Sequence, residues 1–215
     1  MKKVISYCLW GNDPKYTMGA LRNAELAKTI YPGWISRFYI GSSTSPIVTK
    51  QLLKTGAEVV SMPEEGDWRG MFWRFYPAGE HDVDVMLSRD TDSRLSLREK
   101  AAVDAWLATD SPFHIMRDHP AHRTEILGGM WGARGGFLTE MKQLIDGYQK
   151  GDFWQVDQNF LREHIYPRVK SVAVVHDEFF EGKQFPTPRV NYEFVGDVFD
   201  ASDVRHTDYW KALIK

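Results

Sequence analysis

The chain has 215 residues, enough for one sizeable hydrophobic core and short for two. Its 27 Lys and Arg stand against 29 Asp and Glu, a net charge of −2; a nucleic-acid binder needs a basic excess, so the balance argues against that class. Hydrophobic residues at 43% and charged residues at 26% exclude wholesale disorder, and no stretch of about 18 apolar residues offers a membrane span.

The chain opens on Met1 to Tyr7, with two lysines and no long apolar run behind them. A secretory signal is not expected there, and the expected location is cytoplasmic. The single cysteine, Cys8, excludes an intrachain disulfide and reads as a small buried side chain within a strand. Val4 to Leu9 is that strand, running into the turn-rich Trp10-Gly11-Asn12-Asp13-Pro14. Tyr16 to Ile30 predicts a helix, stopped at Tyr31-Pro32-Gly33. Arg37 to Ile40 predicts a second strand, Pro46 to Lys54 a second helix closed by Gly56, and Ala57 to Met62 a third strand. Strands that alternate with helices imply a mostly parallel sheet, with ligands beyond the carboxyl ends of its strands.

Asp67 to Tyr76 is an aromatic segment, expected to be helical. Val83 to Leu87 predicts the next strand, which ends in Ser88-Arg89-Asp90-Thr91-Asp92-Ser93-Arg94. Ser96 and Glu99 stand at the spacing of a capping box and open a helix to about Thr109. Phe113 to Met116 predicts a strand leading to Arg117-Asp118-His119-Pro120. Gly128-Gly129-Met130-Trp131-Gly132 reads as backbone in close approach to something else. Met141, Leu144, Ile145 and Tyr148 mark one helix face. Val156, Phe160, Leu161 and Ile165 mark another, expected to stop at Pro167. Val172 to Val175 predicts the last strand, closed by His176-Asp177-Glu178. Beyond Phe180 the punctuation by Pro and Gly assigns no element. No repeat or linker divides residues 1–215, so a single domain is the economical reading.

Asp90-Thr91-Asp92 carries the chemistry. Two carboxylates at i and i+2, just past an apolar strand, can lean into one cleft, and hard divalent cations take carboxylate oxygens. The plainer alternative is a polar turn that caps the next helix. Arg89 and Arg94 flank the pair and either neutralise it or contact phosphate.

The run Phe72-Trp73-Arg74-Phe75 followed by Leu87 to Leu95 resembles the GT-A-fold, Rossmann-like glycosyltransferases. In particular it is similar to a small group found in large DNA viruses and bacteria. His114 to Pro120, Gly128 to Gly132, Asp157 to Leu161 and Phe194-Val195-Gly196 continue the resemblance over nearly the whole chain. It implies a nucleotide-binding half at about 1–95 and an acceptor-side half at about 96–215. It implies transfer of a sugar from a nucleotide-diphosphate donor, a UDP-sugar foremost, to a glycan or glycoconjugate hydroxyl, with Mn2+ or Mg2+.

The same resemblance implies site residues. Leu9, Trp10 and Gly11 would line the nucleotide pocket, Arg74 and Arg89 would lie near the nucleotide or its phosphates, and Gly129 would lie close to a substrate. Asp90 and Asp92 would hold the metal, with His176 as a third ligand and Asp177 and Glu178 as its rivals. Asp157 and Asp118 are the alternatives for a carboxylate base. Two other classes stay open. One is a non-catalytic carbohydrate- or nucleotide-sugar-binding module, or a module of a longer parent protein with further domains. The other is a nucleotidyltransferase, which lacks support in the loop after the first strand: Trp10 to Pro14 is not a Gly-rich, Lys/Arg-bearing loop.

Overall fold

The computed structural model describes residues 1–214. The apolar runs form strands β1 (Lys3–Leu9), β2 (Ile35–Ile40), β3 (Glu58–Ser61), β4 (Val85–Ser88), β5 (Phe113–Arg117), β6 (Trp131–Arg134) and β7 (Ala173–Asp177). They make one sheet in the order β3-β2-β1-β4-β6-β5-β7. Every pairing is parallel except those of β6, which runs antiparallel to β4 and β5. The Gly128 to Gly132 stretch was expected as backbone in close approach, with no strand assigned to it. Its second half is β6, where Gly132 sits opposite Leu87 and His114. Glycines weaken a strand signal, and the pairing across β4 and β5 overrides it.

Helices α1 (Pro14–Ile30), α2 (Pro46–Lys54) and α3 (Leu97–Leu107) start where the sequence provides caps. The side chains of Asp13, Ser45 and Ser96 accept backbone N–H groups of the first turns, and Pro opens α1 and α2. The aromatic segment is a 3₁₀ helix, Trp68–Gly79, rather than an α-helix. Helices α4 (Met141–Gly147) and α5 (Val156–Phe160) follow, and a π turn, Leu161–Ile165, links α5 to α6 (Tyr166–Val169). The helix therefore passes Pro167 instead of stopping there. A widened turn just before the proline accommodates the ring and its missing N–H. A last short helix, α7 (Thr207–Lys211), closes the part of the chain that sequence left unassigned.

The core lies on both faces of the sheet. One cluster joins Ile5, Tyr7, Leu9, Val85 and Leu87 to α1 and α3. The other joins Val4, Met86 and Trp131 to Phe72, Phe75, Phe160 and Ile165. Alternation along β4 thus sends Val85 and Leu87 to one face and Met86 to the other, as a strand's period of two requires. Among the described residues, no helix is long and apolar enough to cross a membrane.

Candidate active site

The alternation on β4 continues past its last residue and sorts the motif. Arg89 follows Leu87 to the α1/α3 face. There it is buried, with Nε donating to Glu99 at 2.7 Å and Nη1 to the Trp131 carbonyl at 3.1 Å. Arg89 is therefore not a phosphate contact: it is an internal cation that ties β4 to α3 and β6. Asp90 follows Met86 to the opposite face, where the 3₁₀ segment lies.

On that face Arg74 joins two acids. Its guanidinium donates to Asp90 Oδ1, and at 2.6 Å to Asp157 Oδ2. Arg74 and Asp157 are almost wholly withdrawn from solvent, while the Asp90 side chain stays 38% exposed. Arg74, expected near the nucleotide, has both ends of its guanidinium fork engaged by carboxylates. Asp157 Oδ1 accepts the Gln158 amide at 2.8 Å, so both its oxygens are bound. Burial pushes its carboxyl up and the Arg74 charge pulls it back down. A general base must be within reach of the acceptor, and with its side chain only 2% exposed this aspartate holds Arg74 rather than taking a proton.

The glycines of the preceding loop fit this cluster. A Cβ on Gly128 would strike the Asp157 carboxylate and the Arg74 guanidinium, and one on Gly129 would strike the Asp90 carboxylate. Gly129, expected against a substrate, lets the backbone pack on Asp90.

Asp92 reaches the first turn of α1. Its Oδ2 lies 2.7 Å from Lys15 Nζ. Burial raises its carboxyl, the Asp90 charge adds to that, and Lys15 opposes both. The unassigned C-terminal stretch packs here. The Phe199 amide donates to the Asp92 carbonyl at 2.9 Å, Ser93 bridges Val198, and the His206 amide donates to the Val198 carbonyl. Asp203 accepts from Arg94 at 2.8 Å and pairs with Arg22 at 3.2 Å. No sequence signal announced this strap, because it is held by single bridges and ion pairs rather than by a periodic element.

At the end of β1, Leu9 is buried in the α1/α3 cluster and its carbonyl accepts the Gly41 amide. It is a core residue rather than a pocket wall. Trp10 is half-buried and meets Trp68 and Trp73 edge to face, with centroids 6.4 and 6.3 Å away. Gly11 turns the chain with φ of 66°, and its amide donates to Ser43 Oγ at 2.9 Å.

Two further expectations are corrected. Asp118 is fully buried; it accepts Arg98 Nε and Nη2 at 2.8 and 2.9 Å, Arg189 at 2.7 Å and the Val195 amide at 2.9 Å. It has no free lone pair for a base and instead anchors the C-terminal segment to β5. His176 lies on β7, three strands from β4, about 14 Å at the usual strand spacing. Its Nδ1 meets His114 Nε2 at 2.8 Å and its ring packs on Phe185. It does not reach the aspartates. Its rivals are also engaged: Asp177 pairs with Arg117, and Glu178 with Arg98 and Arg189.

Among the described residues, no group of three or more His, Cys, Asp or Glu converges as a metal cage. What the site offers is two neighbouring carboxylates whose charges repel one another. That donor set fits Mg2+ or Mn2+, which bind through one or two carboxylates and complete their shells with water and substrate phosphates.

No protein-family model and no curated protein matches this sequence. Solved structures do. The chain is similar to a glycosyltransferase involved in the glycosylation of the major capsid of PBCV-1, at 16% identity over 83% of this chain and 82% of that one, with a TM-score of 0.54. It is similar to glucosyl-3-phosphoglycerate synthase from Mycobacterium tuberculosis, determined with Mn2+, UDP-glucose and phosphoglyceric acid, at 13% identity over 81% and 69%, TM-score 0.51. It is also similar to a mannosyltransferase from Pyrobaculum calidifontis in complex with GDP-mannose and Mn2+, at 12% identity over 85% and 58%, TM-score 0.52. The fold is that of the GT-A-type glycosyltransferases.

Proposed function

We propose that this chain is a metal-dependent glycosyltransferase that moves a sugar from a nucleotide-diphosphate donor, a UDP-sugar, to a hydroxyl of a glycan or glycoconjugate. The observation that carries the reading is the placement of Asp90 and Asp92. They stand together where β4 ends, on the side where α/β sheets bind ligands, and each is held by a basic side chain. Mn2+ or Mg2+ held by the two carboxylates would neutralise charge on the departing diphosphate. Arg74 fixes the Asp90 carboxylate, and Asp157 fixes Arg74. Trp10, between Trp68 and Trp73, offers an aromatic wall for the base of the nucleotide. Two of the similar proteins were crystallised with Mn2+ and a nucleotide sugar, which supports the same donor chemistry here. The donor half is about residues 1–95 and the acceptor half about 96–215, in one domain.

Calorimetric titration tests this directly. UDP and UDP-sugars should bind in the presence of Mn2+ and bind far more weakly without it, GDP should bind more weakly than UDP, and Asp92→Ala should abolish the Mn2+ dependence. Metal-independent binding, or an Asp92→Ala profile like that of wild type, overturns the reading. UDP release on adding acceptor separates a transferase from a binding module.

A further inference from the structure

Lys15 is a cation in the first turn of its helix, a place that does not favour one. It is the second residue of α1, after Pro14, with Asp13 as the cap. Helix N-termini favour anions and disfavour cations, and the acid at this end of α1, the cap Asp13, accepts the Lys15 backbone amide rather than its ammonium. Asp92 supplies the compensation from another element, at 2.7 Å.

The two aspartates are neutralised in different ways. Arg74 is buried and locked between Asp90 and Asp157. Lys15 keeps a third of its side chain in solvent and Asp92 a fifth, and a lysine is a compact charge on a flexible four-carbon stem. One cation is fixed and the other is free to move. With a divalent cation on Asp90 and Asp92, the charge of Lys15 on Asp92 becomes redundant and is repelled. The donor diphosphate, bound beyond the carboxyl end of β4, would then offer it a new anion.

We propose that Lys15 exchanges partners: it neutralises Asp92 in the metal-free protein and binds the donor diphosphate in the loaded site. This inference rests on the transferase reading above. During transfer the bond between the anomeric carbon and the diphosphate oxygen breaks, and its electron pair stays on the diphosphate. The acceptor oxygen forms the new bond to that carbon and releases its proton to solvent. Lys15 stays protonated throughout and stabilises the charge left on the leaving group.

The test is calorimetry on the full chain with Mn2+ alone, and then with UDP and with uridine at saturating Mn2+, for wild type, Lys15→Met and Lys15→Arg. In Lys15→Met, UDP affinity should fall about tenfold, the worth of one charged hydrogen bond. Uridine affinity should stay unchanged. Affinity for Mn2+ alone should rise, by roughly two- to fivefold, because the ion no longer displaces an ammonium. Lys15→Arg should keep most of the UDP affinity. Equal UDP affinity in wild type and Lys15→Met overturns the inference and leaves the transferase reading intact. A parallel loss of Mn2+, UDP and uridine binding marks a merely structural lysine and also overturns it. Wild-type protein that fails to bind UDP with Mn2+ overturns the transferase reading, and this inference with it.

Discussion

The Arg74 guanidinium meets the Asp157 carboxylate at 2.6 Å with both side chains out of reach of water, and the same guanidinium holds Asp90. An ion pair so buried is expensive to break from one side, because the partner left behind keeps its charge without compensation. Arg74→Met should therefore cost about 3–5 kcal/mol of stability, read from urea unfolding. The double variant Arg74→Met/Asp157→Leu should recover much of that loss, since no buried charge is left unpaired and Asp90, 38% exposed, is solvated. Neither variant should regain Mn2+-dependent UDP binding, because Asp90 loses its support in both. Strictly additive stability losses would contradict a coupled pair.

The parallel half of this fold was legible because its strands are continuous apolar runs and its helices begin on capping residues. Ser45 and Ser96 are such cases. β6 was not legible, because Gly132 and the short span Trp131–Arg134 carry no alternation that survives without β4 and β5 beside them. The neighbouring carboxylates Asp90 and Asp92 were legible as a strand-end pair from their place after β4. The period of two also held the answer for Arg89, since a residue two beyond Leu87 must share its face. The errors at Asp118 and His176 have one cause. Sequence shows that a carboxylate or imidazole ends a strand, but strand order and the reach of distant arginines decide what it faces. Arg189, 71 residues from Asp118 in sequence, gives no local sign of its partner.

Gly129 provides a sharper test of the site than a charge removal. A methyl group there collides with the Asp90 carboxylate and approaches the Asp90 backbone. Crowding of this kind costs about 1–3 kcal/mol. Relaxing it by turning Asp90 aside would weaken Mn2+-dependent UDP binding about ten- to hundredfold. Gly147→Ala is the control, because its added methyl meets open space and alanine suits a helix better. If calorimetry finds Gly129→Ala binding UDP as wild type does, Asp90 is not where the ligand is held.

Asp118→Asn separates an anchor from a base. Asparagine keeps the shape but removes the buried anion of this cluster and leaves Arg98 and Arg189 to the half-buried Glu178, so unfolding should shift by about 3 kcal/mol. In the protein that remains folded, Mn2+-dependent UDP binding should be unchanged, because Asp118 lies beside β5 and not at the end of β4. A variant with wild-type stability and no transfer activity would restore the catalytic role that its burial argues against.

A histidine bonded to that anchor adds to the acid sensitivity of the fold. Burial, with smaller contributions from His119 and Arg189, pushes His122 down to about 3. Its Nδ1 accepts the Asp118 amide at 3.0 Å, which requires the ring to be neutral at that nitrogen. The unfolded chain, with its histidine at the ordinary value near 6.5, binds a proton that the folded chain refuses between about pH 6.5 and 3. Stability therefore rises with pH through that window and is lost as pH falls below 6.5. Burial and His176 also hold His114 well below its ordinary value, so it adds to the same slope. From pH 6.5 to 5.0 His122 alone should cost about 2 kcal/mol. Urea unfolding at a series of pH values measures the slope directly. His122→Asn, whose amide oxygen can still accept from Asp118, should lower the slope by about one proton while leaving stability above pH 7 close to wild type. A slope unchanged by His122→Asn would mean that His122 is already protonated in the folded chain, and the hydrogen bond from Asp118 could not then exist.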